Sequence, residues 1–170
     1  QLYDAISIAQ TGRDIYGNFL PTIFVSVNDF KPPFYTYATV IAYWIFGNSE
    51  ILIRIPGVLF GTLIIPAGYF FTQQLLKRKD IALLAAVLTA IAPFEIFYSR
   101  KSFENGAGLF LMMLGFTFLL KFLEMKQWRW INFGIVLLIA AMYTYFSHAV
   151  IIPLLFISFI FFFRQQFPKN

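Results

Sequence analysis

Residues 55–76 read IPGVLFGTLIIPAGYFFTQQLL and contain no charged side chain. A run of about 18 or more apolar residues can cross the hydrocarbon layer of a membrane as a helix. Two similar runs follow, because residues 105–120 also lack charge and the ionisable side chains between Trp130 and Phe163 are tyrosines and His148. The core of a soluble domain does not need several such runs, so the chain is predicted to be an integral membrane protein.

The composition supports this prediction. Hydrophobic residues make up 59% of the 170 residues and charged residues 12%, whereas a soluble domain carries roughly a quarter charged residues. The mean hydropathy is +0.72. The chain has no cysteine, which excludes disulfides and thiolate metal sites. The net charge of +5 follows membrane orientation rather than nucleic-acid binding, so no nucleic-acid partner is predicted.

The apolar runs predict an all-α, polytopic bundle of transmembrane helices. Five spans are predicted, at about 53–76, 81–99, 105–123, 130–146 and 148–164. A further apolar stretch, 34–46, is too short to cross the membrane upright, and it is rich in Tyr and Trp, which favour the membrane interface. It is predicted to be an interfacial or re-entrant helix. Residues 1–50 are therefore an outer loop with membrane-surface helices, and residues 51–170 are the transmembrane bundle.

The charged residues sort onto two sides of this topology. One side holds eight bases and two acids, the bias that the positive-inside rule assigns to a cytoplasmic face: Lys77, Arg78, Lys79, Lys121, Lys126, Arg129, Arg164 and Lys169, with Asp80 and Glu124. The opposite, outer side collects residues of both signs: Asp4, Arg13, Asp14, Asp29, Lys31, Glu50, Arg54, Glu95, Arg100, Lys101, Glu104 and His148. Membrane targeting does not require such a mixed set, so the outer side is where we expect chemistry.

Several ordered elements on the outer side resemble a known family. They are Tyr3-Asp4-Ala5, Thr11-Gly12-Arg13-Asp14, Gly17-Asn18-Phe19-Leu20-Pro21, Asn28-Asp29-Phe30-Lys31-Pro32-Pro33-Phe34-Tyr35, Phe46-Gly47, Arg54-Ile55-Pro56, Phe97-Tyr98-Ser99-Arg100 and Glu104-Asn105, with a weaker echo at Tyr143-Thr144-Tyr145 and His148. The Asp-x-Lys-Pro-Pro element followed by an aromatic is the most specific of them. This order is similar to the GT-C glycosyltransferases of the dolichyl-phosphate-mannose protein mannosyltransferase type, including bacterial relatives that attach aminoarabinose to lipid A.

The resemblance implies a multi-pass membrane enzyme that takes a sugar from a polyprenyl-phosphate carrier at the outer leaflet. The sugar would pass, with inversion, to a protein, lipid or glycan acceptor. A bacterial or archaeal plasma membrane is the expected location. In the family the principal catalytic acid belongs to an Asp-Glu pair that would precede Gln1. The chain therefore resembles a fragment that lacks the first transmembrane helix, and we expect it to be inactive alone.

The resemblance assigns roles to seven residues of this sequence. Asp29, Lys31 and Glu104 are the predicted catalytic residues, with Lys31 orienting a catalytic acid or touching phosphate. The predicted residues for the lipid phosphate and sugar are Arg54, Arg100, His148 and Asp14. Fixed positive charge at such a site would stabilise the negative charge that develops on the departing phosphate.

Each of these residues also has a structural interpretation. Asp29 could cap the helix that follows it, and Lys31 could extend its ammonium group to the membrane interface. Glu104 lies four residues after Arg100, which also permits an ordinary helical ion pair. Arg54 could anchor the end of a span, and His148 could be a satisfied core histidine. Asp14 could organise the turn between Gly12 and Gly17.

No cofactor is evident in the sequence, and no metal-binding motif is present. A divalent metal remains open, because some relatives use one with the acidic pair. The main alternative to an enzyme is a non-catalytic membrane subunit that packs against other chains of a complex. A flippase or transporter of lipid-linked sugars ranks last, because almost no charge is predicted at the middle of the membrane.

Overall fold

The computed structural model describes residues 1–26, 29–49, 51, 53–101 and 103–167. Within these residues the chain forms helices and one short antiparallel hairpin. In chain order they are α1 (Leu2–Thr11), β1 (Phe24–Ser26), β2 (Asp29–Lys31), α2 (Pro33–Phe46), α3 (Ile55–Leu76), α4 (Lys79–Ile91), α5 (Pro93–Arg100), α6 (Asn105–Met125), α7 (Trp128–Met142) and α8 (Phe146–Phe163), which a 3₁₀ turn (Arg164–Gln166) extends. The predicted all-α membrane bundle is confirmed.

Among the described residues, three helices are long and apolar enough to cross a membrane: α3, α6, and α8 together with its 3₁₀ turn. The helices α4 and α5, bent by 53° relative to each other, form either a fourth, broken span or a re-entrant loop. The helix α7 is apolar but has 15 residues. Helices occupy all five predicted segments, and membrane crossing by 81–99 and 130–146 stays a prediction.

The predicted span at 81–99 is not one continuous helix. Ala92 leaves the helical conformation, with φ −62° and ψ 119°, and α5 begins at Pro93. Proline has no amide hydrogen to donate and disfavours the helical conformation of the residue before it. Pro93 thus ends α4 and starts α5 in a new direction.

The helix α6 lies at the centre of the bundle. It packs most extensively against α7 and α3, and its buried side chains form a cluster with residues of α7 and α8 that includes Leu111, Phe116, Leu119, Phe122, Leu138 and Phe159. The backbones of α6 and α7 approach closely at Gly115 and Gly134, where a Cβ atom on Gly134 would lie 3.0 Å from the Gly115 carbonyl oxygen. Close approach at small residues is the usual way that helices associate inside membranes.

The helix ends form two opposite ends of the bundle. At one of them Glu124 on α6 accepts hydrogen bonds of 2.6 Å from Lys77 and from Gln74, which lie at the end of α3. We call this end of the bundle the basic end, because the helix ends and connections there carry seven of the eight predicted bases. The eighth, Lys169, lies outside the described residues. At the other end, here called the site end, the Tyr35 hydroxyl donates to the Ile53 carbonyl at 2.7 Å.

The N-terminal part of the chain packs at the site end. Ala5 and Ile8 of α1 are buried with Val40 of α2 and Phe24 of β1. The hairpin of β1 and β2 pairs Phe24 with Lys31. The sequence did not predict this hairpin, because each strand has only three residues and shows no usable alternation.

Candidate functional site

The two predicted catalytic residues Lys31 and Glu104 lie together at the site end. Lys31 Nζ is 3.7 Å from Glu104 Oε1. The Glu104 residue is only 2% exposed, and its Oε1 also accepts a hydrogen bond from the Gln1 side-chain amide at 2.5 Å. A buried carboxylate is costly unless it is paired and hydrogen-bonded, and Lys31 and Gln1 meet that requirement.

The side chain of Glu104 does not bond to its own helix. Glu104 occupies the N-cap position of α6, yet its side chain makes no capping hydrogen bond. A carboxylate at this position normally stabilises its helix by accepting from the first backbone amides. Instead it contacts β2 and α1, which are distant in sequence. The sequence also allowed an ion pair between Arg100 and Glu104 within one helix. The structure excludes that pair, because α5 ends at Arg100 and α6 begins at Asn105.

The Lys-Pro-Pro element holds Lys31 in place through the backbone of its neighbours. Pro33 starts α2 at the first helical position, with Pro32 as the N-cap residue. The Phe34 amide then donates to the Tyr143 carbonyl at 3.2 Å. The start of α2, which follows Lys31 in the chain, is thereby held against the turn that joins α7 to α8.

Asp29 lies on the same short strand as Lys31. Its backbone is paired with Ser26 in the hairpin, and its side chain lies outside the described part of the structure. The suggestion that Asp29 caps the following helix is not supported, since Pro32 occupies the N-cap position. The catalytic role of Asp29 stays a prediction.

Two predicted phosphate-binding residues, Arg54 and Arg100, line one open cleft of about 610 Å³. Lys101 lines it as well, and the remaining wall is formed by Pro93, Ile96 and Phe97. The cleft therefore combines three cations with an apolar wall, a combination suited to a phosphate that carries a hydrocarbon chain.

The bend between α4 and α5 builds the wall of this cleft. Pro93, Ile96, Phe97 and Arg100 follow one another at the three- and four-residue spacing of a single helix face. Lys101 extends over the Phe97 ring, with Nζ 4.3 Å from the ring centroid. Lys101 was not among the residues predicted to bind phosphate, and its four-residue spacing from Phe97 is the signal that could have included it.

An apolar groove lies beside Arg54, between α2 and α3. It has a volume of about 410 Å³ and is lined by Ile41, Ile45, Phe46, Ile55, Leu59 and Phe60, among others. Arg54 is the N-cap residue of α3 and immediately precedes Ile55. The groove is thus adjacent in sequence to one of the cations of the cleft.

His148 is buried where α8 meets α6. It is 5% exposed, and a Cβ atom on Gly108 would lie 2.9 Å from His148 Nε2 and 2.4 Å from Thr144 Oγ1. Gly108 is one helical turn after Glu104, and its amide donates to the Glu104 carbonyl. Among the described groups, His148 Nδ1 has no hydrogen-bond partner. Glycine at position 108 therefore leaves the space that His148 occupies beside the first turn of α6, which follows Glu104.

Asp14 is 5% exposed and organises its own loop. Its carboxylate accepts hydrogen bonds from the Tyr16 and Asn18 amides and from the Asn18 side chain, at 2.8–2.9 Å. Burial acts to raise the pKa of Asp14, but these hydrogen bonds outweigh it and hold the pKa below its ordinary value. This arrangement agrees with the turn-organising interpretation. The position of Asp14 relative to a bound sugar stays a prediction.

Two further acids of the outer set also lie at the site end. Asp4 on α1 is 4% exposed, and its Oδ2 lies 3.2 Å from the backbone nitrogen of Gln1, whose side chain contacts Glu104. Glu95 lies in the first turn of α5. Within the described ranges, no group of three or more His, Cys, Asp or Glu side chains could hold a metal ion.

The comparisons with known proteins give one match. The model of the family described as dolichyl-phosphate-mannose-protein mannosyltransferase matches residues 30–170. Lys31, Arg54, Arg100, Glu104 and His148 lie within the matched range, whereas Asp14 and Asp29 precede it. No curated protein and no solved structure matches the chain significantly.

Proposed function

Since the chain belongs to the dolichyl-phosphate-mannose-protein mannosyltransferase family and is thus a membrane glycosyltransferase of the GT-C type, we propose that it transfers a sugar from a polyprenyl-phosphate carrier to an acceptor hydroxyl at the outer face of the membrane. The observation that carries the proposal is the buried pair of Lys31 and Glu104 at the end of the bundle that also holds the cleft of three cations.

The cleft supplies what the donor requires. In the reaction, the bond between the anomeric carbon and the phosphate oxygen breaks, and the electron pair remains on the phosphate. Arg54 and Arg100 bind that phosphate and stabilise the charge that develops on it. The apolar groove between α2 and α3 accommodates the first part of the polyprenyl tail, because it begins at Ile55, directly after Arg54.

The carboxylate at the site end serves the acceptor. The acceptor oxygen attacks the anomeric carbon from the face opposite the phosphate, which inverts the configuration, and its proton passes to a carboxylate. By resemblance, Glu104 is one of the carboxylates that serve this step. Lys31 pairs with Glu104 and orients it, and Asp29 lies on the same strand as Lys31.

The test is sugar transfer by the full-length protein in membranes, with a radiolabelled polyprenyl-phosphate sugar as donor. Glu104→Gln keeps the size of the side chain and removes its charge. We expect it to lower the transfer rate by about 100-fold or more, the range lost with a positioned acid or base. Asp80→Asn at the basic end, where the carboxylate is exposed, is the control and should retain the rate.

Two results would contradict the proposal. One is a Glu104→Gln protein that folds and transfers sugar at the rate of the unmodified protein. The other is an unmodified full-length protein that transfers no sugar from any polyprenyl-phosphate donor, which would favour the non-catalytic membrane subunit.

A further inference from the structure

A second groove lies at the basic end, on the opposite side of the bundle from the candidate site. Its apolar part, of about 190 Å³, lies between α3, α6 and α8 and is lined by Phe71, Leu75, Phe116, Leu120, Leu155, Phe159 and Phe163. A polar part of about 360 Å³ adjoins it and is lined partly by the same Leu75, Leu120 and Phe163. The shared residues make the two parts one groove, apolar within the membrane and polar at its mouth.

Among the described residues that line the mouth, Lys77 and Glu124 are the charged ones. Lys77 Nζ is 2.6 Å from Glu124 Oε2, and both side chains are more than half exposed. Gln74 donates to the same Oε2 at 2.6 Å. The other carboxylate oxygen, Oε1, and two of the three Lys77 ammonium hydrogens can still bond to a ligand.

We propose that this groove binds a membrane phospholipid whose zwitterionic headgroup carries a phosphate and a primary ammonium, as in phosphatidylethanolamine. The phosphate accepts hydrogen bonds from Lys77, and the ammonium group donates to Glu124. One acyl chain lies along the apolar part, against Phe71, Leu155 and Phe159.

The charges at the mouth favour this headgroup over two other common ones. An anionic headgroup such as that of phosphatidylglycerol would pair with Lys77 but has no ammonium group to pair with the Glu124 carboxylate. The choline headgroup has a positive charge but no N–H group to donate to the free carboxylate oxygen. The apolar part of the groove excludes a free phosphate compound as the preferred ligand, because its lining needs a hydrocarbon chain to cover it.

Native mass spectrometry of the full-length protein in detergent tests the proposal. The probes are phosphatidylethanolamine, phosphatidylcholine and phosphatidylglycerol with identical acyl chains. We expect phosphatidylethanolamine to bind about tenfold tighter than phosphatidylcholine, the ratio that one hydrogen bond to a charged group supports. Glu124→Gln should abolish that preference, and Lys77→Gln should weaken binding of all three lipids. Both side chains are exposed, so both variants should fold.

The apolar part has its own matched pair of variants. Leu155→Trp fills the groove and should remove binding of all three lipids, whereas Leu154→Trp on an exposed neighbouring position of α8 should leave binding intact. The proposal is overturned by equal binding of phosphatidylethanolamine and phosphatidylcholine, by a preference that survives Glu124→Gln, or by tighter binding of phosphatidylglycerol. A photo-reactive residue at Leu155 should yield a lipid adduct in native membranes; a cross-link to protein there would also overturn it.

Discussion

At the scale of single residues, the pairing of Lys31 with Glu104 is the feature that bears most directly on function. Glu104 is almost completely buried, and placing a carboxylate in such a position costs several kcal/mol of desolvation, which a single partner seldom repays in full. A hydrophobic pair of similar volume would often be equally stable there. We attribute the charged pair of Lys31 and Glu104 to the proposed reaction, which needs a fixed carboxylate at the site end.

The first prediction separates the stability of this pair from its chemistry. Lys31→Met removes the cation beside a buried carboxylate and should lower the free energy of unfolding by about 3–5 kcal/mol. In the double variant Lys31→Met with Glu104→Gln, most of the stability should return but sugar transfer should not. Thermal unfolding in detergent and the transfer assay measure the two effects.

A matched control exists at the basic end. Lys77→Met removes the cation of the exposed Lys77–Glu124 pair and should change the stability by about 1 kcal/mol or less. Equal effects of Lys31→Met and Lys77→Met on the free energy of unfolding would show that the buried Glu104 depends on its lysine partner no more than the exposed Glu124 does.

Asp14 gives a prediction for the dependence on pH. Its pKa in the folded chain lies below the ordinary value of 3.8 because of its hydrogen bonds to Asn18 and Tyr16. The ionised carboxylate therefore stabilises the loop above the ordinary value, and this contribution is lost as the pH falls through the lower pKa of the folded state. Hydrogen exchange of the Tyr16 and Asn18 amides between about pH 2 and about pH 6 should show protection decreasing toward acid pH in that window.

The control for this experiment is Asp14→Ala. Its amides at Tyr16 and Asn18 should be poorly protected throughout the range, after correction for intrinsic exchange rates. Equal pH profiles in the two proteins would mean that the Asp14 carboxylate does not hold the loop.

At the scale of helices, two local features determine how the helices pack. Pro93 breaks the second apolar segment and directs α5 so that one of its faces lines the cleft with Arg54. Gly115 and Gly134 bring α6 and α7 into backbone contact. Inside a membrane, such close packing replaces much of the hydrophobic driving force that operates in water.

The close contact predicts a large effect from a small substitution. In Gly134→Ala the new Cβ would lie 2.9 Å from Leu119 Cδ2 and 3.0 Å from the Gly115 carbonyl oxygen. We expect the helices to move apart and the stability to fall by about 1–3 kcal/mol, measured as a lower unfolding temperature in detergent.

Gly68→Ala on α3 is the matched control. The new Cβ would lie 3.7 Å from Thr89 Oγ1, an ordinary contact, and alanine is the better helix former. Its unfolding temperature should equal or exceed that of the unmodified protein. A Gly134→Ala protein as stable as Gly68→Ala would show that α6 and α7 do not depend on this contact.

At the scale of the whole molecule, the two ends of the bundle differ in charge and in the ligands that we propose for them. The basic end carries an excess of Lys and Arg, and the site end carries the mixed set with the Lys31–Glu104 pair. The positive-inside rule assigns the basic end to the cytoplasm. The sugar-transfer site and the proposed phospholipid groove would then lie on opposite sides of the membrane.

Cysteine is absent from these 170 residues, so a cysteine introduced among them, in a protein otherwise free of cysteine, reports this orientation. A single cysteine at Tyr16, an exposed position at the site end, should react with a membrane-impermeant maleimide in intact cells. A single cysteine at Lys79, which starts α4 at the basic end, should react only after the membrane is permeabilised. The reverse pattern would place the candidate site in the cytoplasm and contradict the proposed outer-face reaction.

The sequence by itself determined the class of protein and the division of charge between its ends. Both follow from local properties: uncharged runs long enough to span a membrane must be helical there, and bases that follow such runs are retained on the cytoplasmic side. The sequence also contained Pro93, so the break in the second segment could have been predicted from the missing amide hydrogen alone.

Only the tertiary structure decided which of the predicted site residues meet. Lys31 and Glu104 lie in segments far apart in sequence, and they come together because the start of α2 is held against the turn after α7. Arg54 and Arg100 share a cleft because α5 turns away from the direction of α4. Asp14 instead bonds to its own loop. Spacing along a chain fixes which side chains share a helix face, but contacts between helices depend on packing that no local pattern specifies.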